Sequence, residues 1–475
     1  MHTLRLIVFG LVASSSLAAS QHRTEEQVST TVNAPWQLWN DTIPGAVGSQ
    51  VDAEINLSAP LQAIEGFGTC FNELGWTSLS ALSQGDRDSV LRELFSPGVG
   101  ANFTVCRMPV GANDFSLDWY SYDESEGDFD MKNFSIANDL RTLVPFIKAA
   151  RKLNPSLQLW ASPWSPPSWM KYNRHYAMTT PPEGSRVDNG MRADQRGTEG
   201  TDMFIQEERY FRAYALYFSK FIDAYREQGI AINMVMPQNE FNSIQIFPSC
   251  AWTAKGLAEF LRYLCPAMQE RKVDVFFGTM ERPNEKLVDT ILTDPGLRPC
   301  IKGIAFQWAG KQAIAGIHRR YPTMTLYQSE QECGDGKNDW QYCTYAWTLM
   351  KHYLKNGASA YLYWNTSLQR GGVSRWGWSQ NSLISVDTTK HTFRYNHEYY
   401  LMKHFSHYVQ SGARLLQTAG PFGDLLAFLN PDRSLVIVVR NELESARRVR
   451  LKVGKRTLVP LLPGDSFTTI TITPN

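Results

Sequence analysis

The chain of 475 residues is 43% hydrophobic and close to neutral, with 47 Lys and Arg against 46 Asp and Glu. That balance provides no basic surface for nucleic acid or for an anionic membrane. The length allows one large domain and a smaller one, and 14 Trp, 20 Tyr and 24 Phe make the chain rich in aromatic side chains.

The N-terminus reads as a secretory signal. His2 and Arg5 give a weakly basic start, residues 6–13 are apolar and residues 14–20 are small. Ala18 and Ser20 suit the positions before a cleavage site, so residues 1–20 are expected to be removed and the protein to be secreted. The apolar stretch is much shorter than the ~20 residues of a membrane span, and no other segment of the sequence reaches that length.

Strand-like apolar runs then alternate with helix-period stretches. The strand candidates are residues 64–72, 103–111, 157–163, 233–239, 273–279, 303–307, 324–329 and 360–365. Helical periodicity marks 140–152, 207–227, 254–270 and 340–356 among the intervening segments. Near-continuous apolar strands separated by helices predict a parallel sheet with helices outside, and eight such units predict a (β/α)8 TIM barrel over 61–408. The flanks read differently. Alternation in 49–57 and the short strand-like runs 425–429, 435–440, 448–453 and 466–472, punctuated by Gly, Pro, Asp and Asn, predict a small antiparallel β-sandwich. It would be formed from both chain ends, 21–60 and 409–475.

Seven cysteines agree with an oxidising compartment, and their odd number leaves at least one unpaired. Cys70 and Cys106 sit in apolar runs and read as buried thiols, whereas Cys333 and Cys343 are close enough for a local disulfide. No Cys-x-x-Cys or His-x-x-x-His spacing occurs, so no metal and no cofactor is expected. Sequons lie at Asn40, Asn56, Asn102, Asn133 and Asn365, of which Asn102 and Asn365 fall in predicted strands and are poor glycan acceptors.

The chemistry is carried by carboxylates at strand ends. Glu240 closes Asn233-Met-Val-Met-Pro-Gln-Asn-Glu240 at the end of the fourth strand, and Glu330 closes Met324-Thr-Leu-Tyr-Gln-Ser-Glu330 at the end of the seventh. Barrels of this kind place reacting groups at strand C-termini. Two fixed carboxyls are what glycoside hydrolysis requires, one to protonate the leaving oxygen and one to attack or to activate water. In an extended strand Glu330 and Glu332 point the same way, so both are candidates for the second role. Other candidates are Asp114, which could instead cap a helix, Trp164 and Trp169 in a Pro-rich loop, and Trp308. Arg107 stands on the second strand, where a buried Arg usually pairs with a carboxylate. A Gly-x-Ser-x-Gly elbow is absent, and Gly66-Phe-Gly68 lacks phosphate-loop spacing.

Several segments resemble glycoside hydrolase family 30. They are Ile64-Glu-Gly-Phe-Gly68, Asn113-Asp-Phe-Ser116, Ala161-Ser-Pro-Trp-Ser-Pro-Pro-Ser-Trp-Met-Lys171, Asn239-Glu240, Tyr363-Trp-Asn365 and Leu383-Ile-Ser-Val-Asp387. Tyr120-Ser-Tyr-Asp123 and Asn133-Phe-Ser135 resemble its glucosylceramidase branch. The resemblance implies a barrel with a side β-sandwich, a retaining mechanism and a carbohydrate or glycoconjugate substrate. By position it makes Glu240 the acid/base and Glu330 the nucleophile. It places Asp114, Trp164, Asn239, Trp364 and Asn365 around the sugar, whereas Trp308 stays open between packing and substrate contact. Two positions depart from the family pattern. Phe241 follows the acid/base where Pro is common, and Gln307 stands where the glucosylceramidase branch has His. Asp114, an acceptor suited to the outer hydroxyls of a terminal hexose, makes a β-linked hexoside, with glucoside first, the expected substrate, and the two departures keep β-1,6-galactan, fucoside and xylan open as alternatives within the family. A carbohydrate-binding protein that kept the fold without the chemistry and a secreted adhesion protein are the readings outside it.

Overall fold

The computed structural model describes residues 25–39 and 50–473, so residues 1–20, expected to be a signal segment, and Asn40 lie outside the described residues. Eight parallel strands close into a barrel. They are β1 (Gly66–Cys70), β2 (Val105–Pro109), β3 (Gln158–Ser162), β4 (Met234–Val235), β5 (Asp274–Met280), β6 (Ile301–Gln307), β7 (Thr325–Glu330) and β8 (Ala358–Asn365). Their interior is filled by a cluster of Val105, Trp160, Met234, Met236, Phe276, Ala305, Tyr327, Ala360 and Leu362. Because strand side chains alternate, Arg107, Ser162 and Gln307, two residues beyond Val105, Trp160 and Ala305, form the next layer up at the C-terminal mouth. Closure leaves no room for side chains at some crossings. A Cβ on Gly68 would sit 1.6 Å from the Val105 carbonyl oxygen, so only glycine lets β1 approach β2.

β4 is much shorter than the predicted 233–239, because Pro237 has no N–H to continue the ladder. The backbone beyond it stays bonded irregularly to its neighbours, with Met236 N–H to the Ala161 carbonyl at 2.9 Å and Asn239 N–H to the Pro163 carbonyl at 2.7 Å. In β7 the register against β6 shifts between Gln328 and Glu330. Ser329 donates inward to Gln307 Oε1 at 2.9 Å, and the irregularity lets its neighbour Glu330 turn into the mouth as well.

The two chain ends build a nine-stranded sheet. Its order is Gln37–Leu38, Glu25–Thr31, Ser466–Ile472, Leu435–Asn441, Leu425–Leu429, Arg414–Ala419, Ala53–Ala63, Leu451–Val453 and Arg456–Leu458. Period-two alternation divides its side chains between two cores. Leu426, Phe428, Val436 and Val438 join the barrel core, whereas Leu425, Ala427, Leu435, Ile437 and Val439 form the sandwich's own. Burial on both faces explains why these strands read as continuous apolar runs. Buried His404 accepts or donates to Thr30 and Thr469 at 2.9 and 2.8 Å, tying helix His397–Ser406 to both end strands, and burial depresses its basicity to about 3.

The expected Cys333–Cys343 disulfide does not form. Cys265 and Cys300 pair instead, and Cys333 and Cys343 are buried thiols, as are Cys70 and Cys106. The bond joins helix Ala254–Arg271 to the segment leading into β6, a proximity created by the barrel rather than by sequence distance. No helix among the described residues is long and apolar enough to cross a membrane.

Candidate active site

The mouth of the barrel is organised around Arg107, which is 0% exposed. Its Nη1 donates to Glu330 Oε2 at 2.8 Å, its Nη2 to Asn239 Oδ1 at 2.6 Å, and Nη2 and Nε to Ser162 Oγ at 2.8 and 3.1 Å. The rings of Trp160, Trp164 and Trp364 lie 5.4, 4.5 and 5.7 Å from the guanidinium carbon. A planar fork can satisfy a carboxylate, an amide and a hydroxyl at once while packing its faces on indoles, which a lysine could not do.

The two carboxylates converge above it. Glu330 also accepts from Trp308 Nε1 at 3.2 Å. Glu240 sits at φ 45°, an uncommon backbone state held by its N–H donating to Thr279 Oγ1 at 2.8 Å. Its Oε2 accepts from Ser243 Oγ at 3.0 Å and Gln245 Nε2 at 3.1 Å. Gln307 Nε2 lies between the pair, 3.0 Å from Glu240 Oε1 and 3.3 Å from Glu330 Oε2. Burial raises the pKa of both acids. For Glu330 it is pushed up to about 7, with Arg107 opposing burial and the Glu240 charge reinforcing it. For Glu240 the opposing influences are chiefly neutral donors, Ser243, Gln307 and Gln245. Arg107 makes its ion pair with Glu330, whereas Glu240 is held by neutral donors, so the two buried carboxyls stand in different electrostatic surroundings.

A cavity of about 190 Å³ opens over this pair, and Asp114, Trp164, Glu240, Trp308 and Glu330 line it. Two larger hollows, of about 470 and 630 Å³, are lined at Glu65, Asn233 and Asp274 and at Arg262, Val273 and Cys300. They include residues at the N-terminal ends of the strands, and neither is lined by Glu240 or Glu330. Asp114 caps no helix. Asn72 caps helix Glu73–Ser80, and Asp114 is left with Oδ1 unpartnered although only 5% of the residue is exposed. Burial first, then the charges of Glu330 and Glu240, raise its pKa.

Asn239 lies one layer deeper, fixed by Arg107. Trp364 stacks behind Trp164, with ring centroids 5.2 Å apart. Asn365 does not line the cavity. It accepts from Asn72 Nδ2 at 3.1 Å and donates to Gln380 Oε1 at 3.0 Å, bracing the loop after β8, and its burial excludes it as a glycan acceptor. Glu332 points away, with one oxygen on Lys311 Nζ at 2.6 Å and the other on Tyr345 OH at 2.9 Å. Trp169 is buried among Phe129 and Tyr210 and has a packing role.

Ser162, Thr279, Ser243, Gln245 and Glu281 were not legible as site residues, because single polar residues in strands or turns carry no sequence signal of their own. Trp378 had one, a Trp in a Gly-rich loop, but its direction depends on the turn that carries it.

The family model of the glycosyl hydrolase family 30 TIM-barrel domain matches residues 64–409, and that of the family 30 beta sandwich domain matches 424–470. The lysosomal acid glucosylceramidase of Mus musculus is 29% identical over 408 residues, covering 80% of this chain and 75% of the relative. An endo-1,6-beta-D-glucanase of Trichoderma harzianum is 25% identical over 459 residues, covering 90% and 87%. Among solved structures, SrfJ from Salmonella typhimurium superposes with a TM-score of 0.83 at 24% identity, covering 95% of this chain and 100% of that one. An endo-beta-1,6-glucanase does so with 0.80 at 22% identity, covering 94% and 99%. These two structures speak for the fold. With a closed barrel, a terminal β-sandwich and a domain match over most of its length, the chain belongs to glycosyl hydrolase family 30 and is a glycosidase.

Proposed function

We propose that this glycosidase cleaves β-linked hexosides, glucosides first, with net retention, through a glycosyl-enzyme on Glu330. The observation that carries the reading is the single amide nitrogen of Gln307, 3.0 Å from one carboxylate and 3.3 Å from the other. Those two distances cap the separation of the oxygens at ~6.3 Å. Retaining enzymes need about 5–5.5 Å, whereas inversion needs about 6.5–9.5 Å to admit water.

In this reading ionised Glu330, oriented by Arg107 and Trp308, attacks the anomeric carbon while Glu240 gives its proton to the departing oxygen. Neutralising Glu330 in the covalent intermediate removes a negative charge beside Glu240, so Glu240 then ionises more readily and can take a proton from the incoming water. Asp114 supports the choice of hexoside. A buried carboxylate oxygen without a partner rewards a sugar hydroxyl and is left unpaired by a sugar that lacks it. We also propose that the protein is exported, a reading supported by the Cys265–Cys300 disulfide and by the N-terminal pattern.

NMR of the first-formed anomer, across a panel of aryl β-glycosides, tests the mechanism and the sugar together. The β-anomer from a glucoside is expected. An initial α-product, or a preference for xyloside that Asp114→Ala leaves unchanged, would overturn the assignment.

A further inference from the structure

The pocket floor accounts for one sugar ring. The side of the cavity beyond Glu240 is built differently, and resting on the glycosidase reading above, we infer that it is an acceptor subsite for a second sugar, so that the leaving group is a carbohydrate rather than a lipid. The proton donor fixes the direction. A leaving group departs past Glu240, and Glu240 Oε2 is held by Gln245, from the loop that continues to Phe247. Phe247 packs edge-on against Trp378, with ring centroids 6.2 Å apart and planes inclined at 63°, and both line the cavity.

Trp378 is 42% exposed, unlike Trp376 two residues earlier, which is buried and donates its Nε1–H to Tyr176 OH at 3.3 Å. The pair divides the labour of the loop. Trp376 anchors it, a turn closed by Ser374 N–H to the Trp378 carbonyl at 2.6 Å stiffens it, and Gly377 at φ 86° supplies the reversal. An indole left half in water on a braced turn beside the reacting pair is a platform for an apolar ring face.

Two further polar groups that line the cavity specify what that ring carries. Glu281, just beyond β5, is 8% exposed and lines the cavity, its Oε2 held by Arg282, which in turn is held by Glu199. Gln380 also lines it, with Oε1 occupied by Asn365, so its NH2 remains as a donor. A carboxylate acceptor and an amide donor match ring hydroxyls, whereas an alkyl chain laid there would strip water from both without replacing it. The stacking face and these two groups together select a hydroxylated ring.

The test compares β-linked diglucosides with octyl β-glucoside, using an aryl β-glucoside to report turnover itself. The wild type is expected to favour a diglucoside, and Glu281→Gln and Trp378→Ala are expected each to lower the diglucoside-to-octyl ratio of kcat/KM about tenfold. Partition of the glycosyl-enzyme provides a readout in the wild type alone, with added methyl β-glucoside captured as a disaccharide in preference to added octanol. A wild type that prefers the octyl glycoside and transfers to octanol, or a ratio that neither variant moves, overturns the subsite. Absence of turnover on the aryl glycoside as well would instead overturn the glycosidase reading beneath it.

Discussion

Replacing Arg107 with methionine keeps the volume of a long side chain and removes its charge and fork. Glu330 then loses its cationic partner, and Asn239 and Ser162 lose the hydrogen bonds that Arg107 donates to them. Breaking a buried ion pair from one side costs about 3–5 kcal/mol, and at ~1.4 kcal/mol per decade a comparable loss in the transition state lowers kcat/KM by roughly a hundred-fold to a few thousand-fold. The sign of the pH effect follows from the same geometry. Arg107 holds Glu330 down against burial, so without it the carboxyl rises beyond about 7 and the acid limb of kcat/KM moves to higher pH. A carboxyl raised in the folded state stabilises the fold while protonated, and that contribution fades as pH climbs through its folded value. The methionine variant is therefore expected to lose more stability at pH 8 than at pH 5, by ~1.4 kcal/mol for each unit the limb moves. Arg107→Lys should return the limb toward its place without restoring the rate, since a point charge cannot serve all three acceptors. Aryl β-glucoside kinetics and thermal melts across pH measure both effects. A methionine variant whose limb stays in place and whose kcat/KM falls less than about fivefold would refute the argument.

Glu332→Gln should retain activity within a few-fold and cost about 1 kcal/mol of stability through Lys311, whereas Glu330→Gln should abolish turnover; steady-state kinetics of the two variants is the check. Asp139, buried under hydroxyls of Tyr120, Tyr122 and Tyr225, is pushed up to about 6 by burial, and Glu398 by burial to about 7. Both bind protons more tightly folded than unfolded, so the melting temperature should fall between pH 5 and pH 8, and Asp139→Asn should flatten part of that slope. Reducing Cys265–Cys300, which closes a 35-residue loop, should remove ~4 kcal/mol by chain entropy and lower the melting temperature without disturbing the pocket.

The barrel was legible because each strand is an apolar run of the right length between helical periods. β6 and β8 each begin two residues before their expected starts, at Ile301 and Ala358. β4 broke early because the run contains Pro237, whose effect on the ladder outweighs the hydrophobic pattern around it. Glu240 and Glu330 could be placed from strand ends, and Arg107 from being a lone charge in a buried strand. The bridging role of Gln307 could not, since it depends on a distance between strands four, six and seven. The disulfide misled for the same reason. Sequence distance favoured Cys333 and Cys343, and the fold brought Cys265 to Cys300. Glu281 and Trp378 arrive on loops after different strands, where direction is set by turns that the sequence leaves open.

The central claim is that Glu330 forms a bond to the sugar. A 2-deoxy-2-fluoro β-glucoside with a good leaving group slows both steps, and a reactive leaving group lets the covalent intermediate accumulate. Digestion of the inactivated protein and mass spectrometry should find the added fluorosugar on the peptide containing Glu330, and none on Glu330→Gln. A label on Glu240, Glu281 or Glu332, or full activity with no label, would contradict the account.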